Sequence, residues 1–159
     1  MGISRIDFGN DVEVKEGGKV KALATGIWLA EVLGAKYKVA KTGNVGIELT
    51  YKVTDEEAAD IEGTSFVGKR QWDTIWFSEK SLKMTKIKLR ALLGRDEVEA
   101  LIIEDESDIQ DLAARLREEV VGSEVKLVVE TEEDSFGTGL YEDGTQKFKA
   151  NIKFVNEVK

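Results

Sequence analysis

Nine consecutive residues, Val45 to Val53, alternate apolar and polar without a break. Val45, Ile47, Leu49, Tyr51 and Val53 fall on one side; Gly46, Glu48, Thr50 and Lys52 fall on the other. A side-chain period of two is the signature of a strand with one face on a core and one in water. Such a strand cannot stand alone, because its edges carry unpaired backbone groups. The chain must therefore supply other strands.

It does so in an ordered series. Thr25 to Ala35 is rich in strand formers, and Ala35 to Asn44 reads as a loop or twisted hairpin tip with Gly43-Asn44 as turn residues. Asp55 to Gly63 reads as an acidic connector containing one helical turn. Val67 to Phe77 is a third strand carrying Trp72 and Trp76. A helix is predicted over Leu82 to Leu93, with Ser78 as its cap, Leu82, Leu89 and Leu93 as its apolar stripe, and Gly94 as its stop. A second helix follows, with Ser107 and Gln110 as a capping box. Ile109, Leu112, Ala113, Leu116 and Val120 keep its amphipathic spacing, and Gly122 ends it. Two last strands alternate: Val125, Leu127 and Val129, then Phe148, Ala150, Ile152 and Phe154 against Lys147, Lys149, Asn151 and Lys153.

Three strands, a helical segment and two strands is the element order of a five-stranded oligonucleotide-binding barrel, whose helix lies between strands three and four. The expected fold is therefore mainly β. One such domain is predicted over residues 25–159, with residues 1–24 as an arm or extra strand. At 159 residues and 42% hydrophobic content, the chain is large enough to bury one core.

What is missing excludes whole classes of function. There is no histidine and no cysteine. Imidazole general bases, thiolate nucleophiles, disulfides and the usual zinc ligands are thereby removed. The acidic run Glu104-Asp105-Glu106, with Asp108 and Asp111, straddles a helix start, where the helix dipole favours acids without any metal. Lys41-Thr42-Gly43 has no accompanying Ser-x-x-Lys, and Gly137-Thr138-Gly139 has no third glycine. No enzyme, metal or cofactor is expected. No apolar run is long enough to span a bilayer, and no apolar signal core follows the first residues, which predicts a cytoplasmic protein.

The net charge of −8 argues against a polyanionic partner until its distribution is read. From Lys69 to Arg95 there are eight basic residues against two acidic, a local +6. From Asp96 to Glu119 there are ten acidic against two basic, a local −8. Lys36, Lys38 and Lys41 surround Tyr37, and Lys147, Lys149 and Lys153 share one side of the last strand. Cations along a backbone path, with aromatic faces between them, suit single-stranded nucleic acid. Each feature also has a plainer reading. Lysines guard edge strands, and Trp28, Trp72 and Trp76 would more often be core than base platforms. Tyr37, Phe136 and Tyr141 fall in predicted loops, where packing explains an aromatic residue less readily.

Several segments resemble those of a group of short phage-encoded proteins, formerly a domain-of-unknown-function family and regarded as single-stranded DNA-binding proteins with an oligonucleotide-binding fold. They are Gly26, Lys41-Thr42-Gly43-Asn44, Ile47-Glu48-Leu49-Thr50-Tyr51-Lys52-Val53 and Gly68-Lys69-Arg70. Lys88-Leu89-Arg90-Ala91-Leu92-Leu93-Gly94, Gly122, Val125-Lys126-Leu127-Val128-Val129 and Asn151-Ile152-Lys153-Phe154 complete the series. The resemblance implies a protein that coats single strands in phage DNA replication or recombination, inside the bacterial host, beside replication or recombination enzymes. The expected interface is then Lys36, Tyr37, Lys38 and Lys41 as a clamp. Lys52, Lys69, Arg70, Lys147, Lys149 and Lys153 contact phosphates. Trp72, Phe136 and Tyr141 stack bases, and Asn151 bonds a base or sugar. Single-stranded DNA is the expected partner, with RNA and self-association left open. The alternative is a β-barrel that assembles in a virion and binds no nucleic acid.

Overall fold

The computed structural model describes residues 22–133, 140 and 146–157. Five strands form one antiparallel sheet: β1 (Gly26–Val39), β2 (Val45–Val53), β3 (Arg70–Trp76), β4 (Glu124–Glu133) and β5 (Phe148–Glu157). Between β3 and β4 come a single 3-10 turn, Glu79–Ser81, and helices α1 (Leu82–Leu93), α2 (Arg95–Glu99) and α3 (Glu106–Glu119). The mainly β class and the order of strands and helices are as the patterning predicts.

The sheet order is β3-β2-β1-β4-β5, so β1 is central. Its first half pairs with β4 (Gly26 to Glu31 against Val129 to Glu124) and its second half with β2 (Ala30 to Val39 against Val53 to Val45). The register slips between Val32 and Gly34, leaving Leu33 as a bulge. The bulge bends the strand so that it can serve two partners. This also corrects the expected strand end at Ala35: pairing with β2 carries β1 on to Val39, and only Ala40 to Asn44 form the hairpin tip.

The expected barrel is not closed. β3 and β5 are the sheet's edges, and no ladder joins them among the described residues. Side chains occupy the seam instead. Gln71 Nε2 donates to the Ala150 carbonyl at 3.4 Å, and α1 packs against both β5 and β3. The inward face of β3 is polar at Gln71 and Asp73, and α1 answers with Lys88, whose Nζ lies 2.8 Å from Asp73 Oδ2. That bond explains why the stripe expected on α1 is displaced. Leu89 is buried, but so are Thr85 and Lys88, while Leu82 is exposed.

The core lies on the concave side: Val32, Leu49, Tyr51, Ile75, Leu127, Ile152 and Val155 from the sheet, Leu112 and Leu116 from α3. Burying about ten such side chains at roughly 1.5–3 kcal/mol each is the main term favouring the fold. Leu23, from the end of the predicted arm, is fully buried and bridges to Asp60, and Ala22 and Ala24 bond the Ile61 amide and the Ala59 carbonyl; residues 1–21 of that arm lie outside the described residues.

Local corrections have local causes. Asp55 to Gly63 holds turns and no helix, because the Asp60 carboxylate accepts from the amides of Glu62 and Thr64 at 2.8 and 3.0 Å. Gly68, at φ +80°, turns the chain just before β3, which therefore begins at Arg70 and not at Val67. The cap of α3 is Asp105 with Asp108, one pair earlier than Ser107 with Gln110. Ser78 precedes the 3-10 turn, and its hydroxyl bonds Ser81 with no helix amide. In β5 the alternation reverses at Lys153, which the register skips: Ile152 and Val155 are buried, and Phe154 faces out.

Candidate nucleic-acid interface

Period two decides what faces outward. Tyr51, Leu49 and Ile47 are buried, so Lys52, Thr50 and Glu48 lie on the convex surface of β2. The register carries that parity across the sheet in four rows: Arg70–Lys52–Glu31, Trp72–Thr50–Gly34, Thr74–Glu48–Lys36 and Trp76–Gly46–Lys38. Successive rows are about 6.8 Å apart.

Trp72 stands in the middle of this face and is 51% exposed. Its row neighbours are a threonine and Gly34, where an added Cβ would meet nothing within 4 Å. The indole thus borders an open shelf. Trp76, two rows along, lies over Gly46: a Cβ there would come within 2.7 Å of the ring. The core reading of these tryptophans holds for neither in full. Trp72 faces water and Trp76 is half-buried on the same convex side, whereas Trp28 packs against the core with its Nε1 donating to the Ala24 carbonyl at 2.8 Å.

Cations flank Trp72 on both sides. Arg70 and Lys52 occupy one adjacent row and Lys36 the other; all three are exposed, and none makes an ion pair with another described residue. Lys38 is tied to Glu48 at 3.0 Å, which partly neutralises it. Lys41 is exposed at the hairpin tip. Lys69 precedes β3 with its ammonium 5.6 Å from the Phe66 ring centroid.

Tyr37 is not part of this face. It pairs with Ile47 on the inward side, and its hydroxyl donates to Glu106 Oε2 at 3.1 Å. Desolvation and that carboxylate raise its phenol above the usual range. Phe136 and Tyr141 lie outside the described residues.

β5 contributes a second group. Lys149 lies 3.3 Å from Glu132, and hydrogen bonds from Asn151 and Lys149, with the field of Lys153, hold the Glu132 carboxyl below its ordinary value. Lys153 sits half-buried at the bulge, and Lys147 is half-buried just before the strand. The two groups meet at the seam. A cleft of about 530 Å³ is lined by Thr74 and Trp76 from β3, Lys80 and Met84 from the helical segment, and Asn151 and Lys153 from β5. Lys88 also lines it and reaches beyond it to Asp73; burial raises the Asp73 carboxyl, and Lys88 pulls it the other way.

Sequence reasoning missed Thr74, Trp76 and Lys80 as members of this surface. The signal was present in β3, where Arg70, Trp72, Thr74 and Trp76 alternate with Gln71, Asp73 and Ile75. Two polar residues on the inward side obscured it. No protein-family model matches the chain, and no curated protein matches it either.

Proposed function

We propose that this chain is a sequence-tolerant single-stranded DNA-binding protein with an oligonucleotide-binding type of barrel, and that it is not an enzyme. The single observation that carries the reading is Trp72, half exposed on the convex face of β3 between rows of cations that carry no ion pair among the described residues. An indole in that setting offers a π-face to any base, while Arg70, Lys52 and Lys36 meet phosphates. Strand order supports this fold assignment: β3-β2-β1-β4-β5 with a helix after β3 is the order an oligonucleotide-binding barrel would have with its β3–β5 seam unzipped. In such barrels the faces of strands two and three and the first and last hairpin loops hold the ligand. Here those are the Trp72 face, the Lys41 tip, and the segment between β4 and β5. Replication or recombination of phage DNA in the host cytoplasm is the setting proposed, and no described helix is long and apolar enough to cross a membrane.

The test is titration with oligothymidylate, followed by tryptophan fluorescence and by anisotropy of a labelled strand, with duplex DNA as control. Single-stranded DNA should quench the protein, and Trp72→Ala should remove most of the quenching and about 1–3 kcal/mol of binding. Undiminished affinity in Trp72→Ala would move the site elsewhere, and no binding at either low or physiological salt would end the proposal.

A further inference from the structure

On the opposite half of the convex surface, three apolar side chains stand in register across three strands. Ile27 of β1 pairs with Val128 of β4, and Val128 pairs with Phe154 of β5. Ile27 is 59% exposed and Phe154 41%. The bulge at Lys153 is what turns Phe154 outward, so the row exists only because the ladder slips there. Two residues either side of Val128 on β4 are Lys126 and Glu130, both exposed and neither in an ion pair among the described residues.

We infer that this row is a self-association surface, and that its occupant is a second copy of the chain. Symmetry and charge select that occupant. Place a two-fold axis in the plane of contact, along the line from Ile27 to Phe154. The operation stacks each row residue on its counterpart and reverses the direction of β4. Lys126 of one copy then faces Glu130 of the other, and Glu130 faces Lys126. One axis thus satisfies both charges and covers all three apolar side chains, as an isologous contact requires. An axis along β4 would set Lys126 on Lys126 and is disfavoured. The contact lies across β1, β4 and β5, so the Trp72 face of each copy stays open, and dimerisation does not depend on DNA binding. The strip is short and on a convex surface, which places the dimer among small interfaces, with half-dissociation at roughly 10 µM.

The experiment is sedimentation velocity of the purified full chain without DNA, from about 1 to about 100 µM. Wild type should pass from monomer to dimer. Ile27→Glu with Phe154→Glu, both at exposed positions, should stay monomeric with an unchanged circular dichroism spectrum. Lys126→Glu alone and Glu130→Lys alone should each raise the dissociation constant about tenfold, since each creates two like-charge contacts. The exchange Lys126→Glu with Glu130→Lys should restore wild-type dimerisation, which a merely apolar contact would not demand. A monomer at every concentration, a dimer that survives the glutamate pair, or an exchange that fails to restore it would each overturn the inference.

Discussion

The convex face fixes the salt dependence that the proposed DNA binding should have. On single strands each phosphate neutralised contributes about 0.7 to the slope of log K against log salt. Lys36, Lys52 and Arg70 are the three cations beside Trp72 that carry no ion pair with a described residue. Replacing all three by alanine should therefore flatten the slope by about 2, and across a fourfold rise in salt the variant should lose about 16-fold less affinity than wild type. Lys38 makes the complementary case. Its partner Glu48 lies 3.0 Å away, so part of its charge is already neutralised within the protein. Glu48→Gln should tighten binding and steepen the slope, by up to about 0.7. Trp72→Ala should weaken binding with the slope unchanged, because stacking releases no counterions. Anisotropy of a labelled oligothymidylate, read at several salt concentrations, measures all of these. If the triple alanine variant weakens binding with an unaltered slope, these residues shape the face without touching phosphates, and the map is refuted.

Two further outcomes follow from the interior and the surface carboxylates. Lys88→Met strands a carboxylate that is only 13% exposed and should cost about 3–5 kcal/mol in urea unfolding at neutral pH, whereas Lys88→Met with Asp73→Leu should recover most of it; equal losses in both would show that the charge pair is not what the seam depends on. The pH dependence has two opposed parts. Glu99, held down first by its hydrogen bond from Arg90, Asp105 by that from Ser107, and Glu132 by that from Asn151 all sit below their ordinary values in the folded chain. Their stabilisation is present above the unfolded carboxylate range and is lost as pH falls through the folded values. Asp73 is raised by burial, so its contribution runs the other way: it is fullest below the unfolded value and is lost as pH rises through the folded one. Melting temperature should therefore drop on acidification, and Asp105→Asn, which keeps a capping oxygen, should flatten that drop; an unaltered acid limb in that variant would count against the assignment.

How much was legible in the sequence depended on whether local pattern and tertiary context agreed. Val45 to Val53 and Val125 to Val129 were legible because one face of each is core along its length, and there the period of two is simply the burial pattern. Legibility ended where one residue shifts the register. At Leu33 and Lys153 the ladder slips, and no local composition marks a bulge. The Lys153 slip sends Phe154 to the surface, against a sequence alternation that is regular through four apolar residues. The pattern failed again on α1, where a buried ion pair replaces part of the apolar stripe: Lys88 reads as solvent-facing until Asp73 is known to lie inward on β3. For the site, the cations of β1, β2 and β3 were legible as residues but not as a surface. Only the register shows that Lys36, Lys52 and Arg70 surround Trp72, and only the parity of β1 separates Tyr37 from its lysine neighbours.

A net charge of −8 does not by itself conflict with the proposed phosphate-binding face, because the densest block of acids lies where the sheet and its core separate it from that face, while Glu31 and Glu48 share the face's own rows. Ten acids lie between Asp96 and Glu119, on α2, α3 and their connector. α3 turns Ile109, Leu112, Ala113 and Leu116 toward the concave side of the sheet, so Asp111, Glu118 and Glu119 point away from it. Several are also engaged locally: Asp105 and Asp108 cap the helix, Glu97 and Glu119 hold Arg115, and Glu99 holds Lys86 and Arg90. At physiological salt the screening length is about 8 Å, shorter than the layer of core and sheet between those acids and the convex surface. A strand bound as proposed would meet Arg70, Lys52 and Lys36 at contact distance, with Glu31 and the Lys38-paired Glu48 beside them, and the acids of α2 and α3 only through screened solvent. At low salt that separation fails, and the whole molecule's negative field opposes the approach of DNA even as each contact strengthens. Segregating the charge in this way would let one small acidic chain keep a face open to a polyanion.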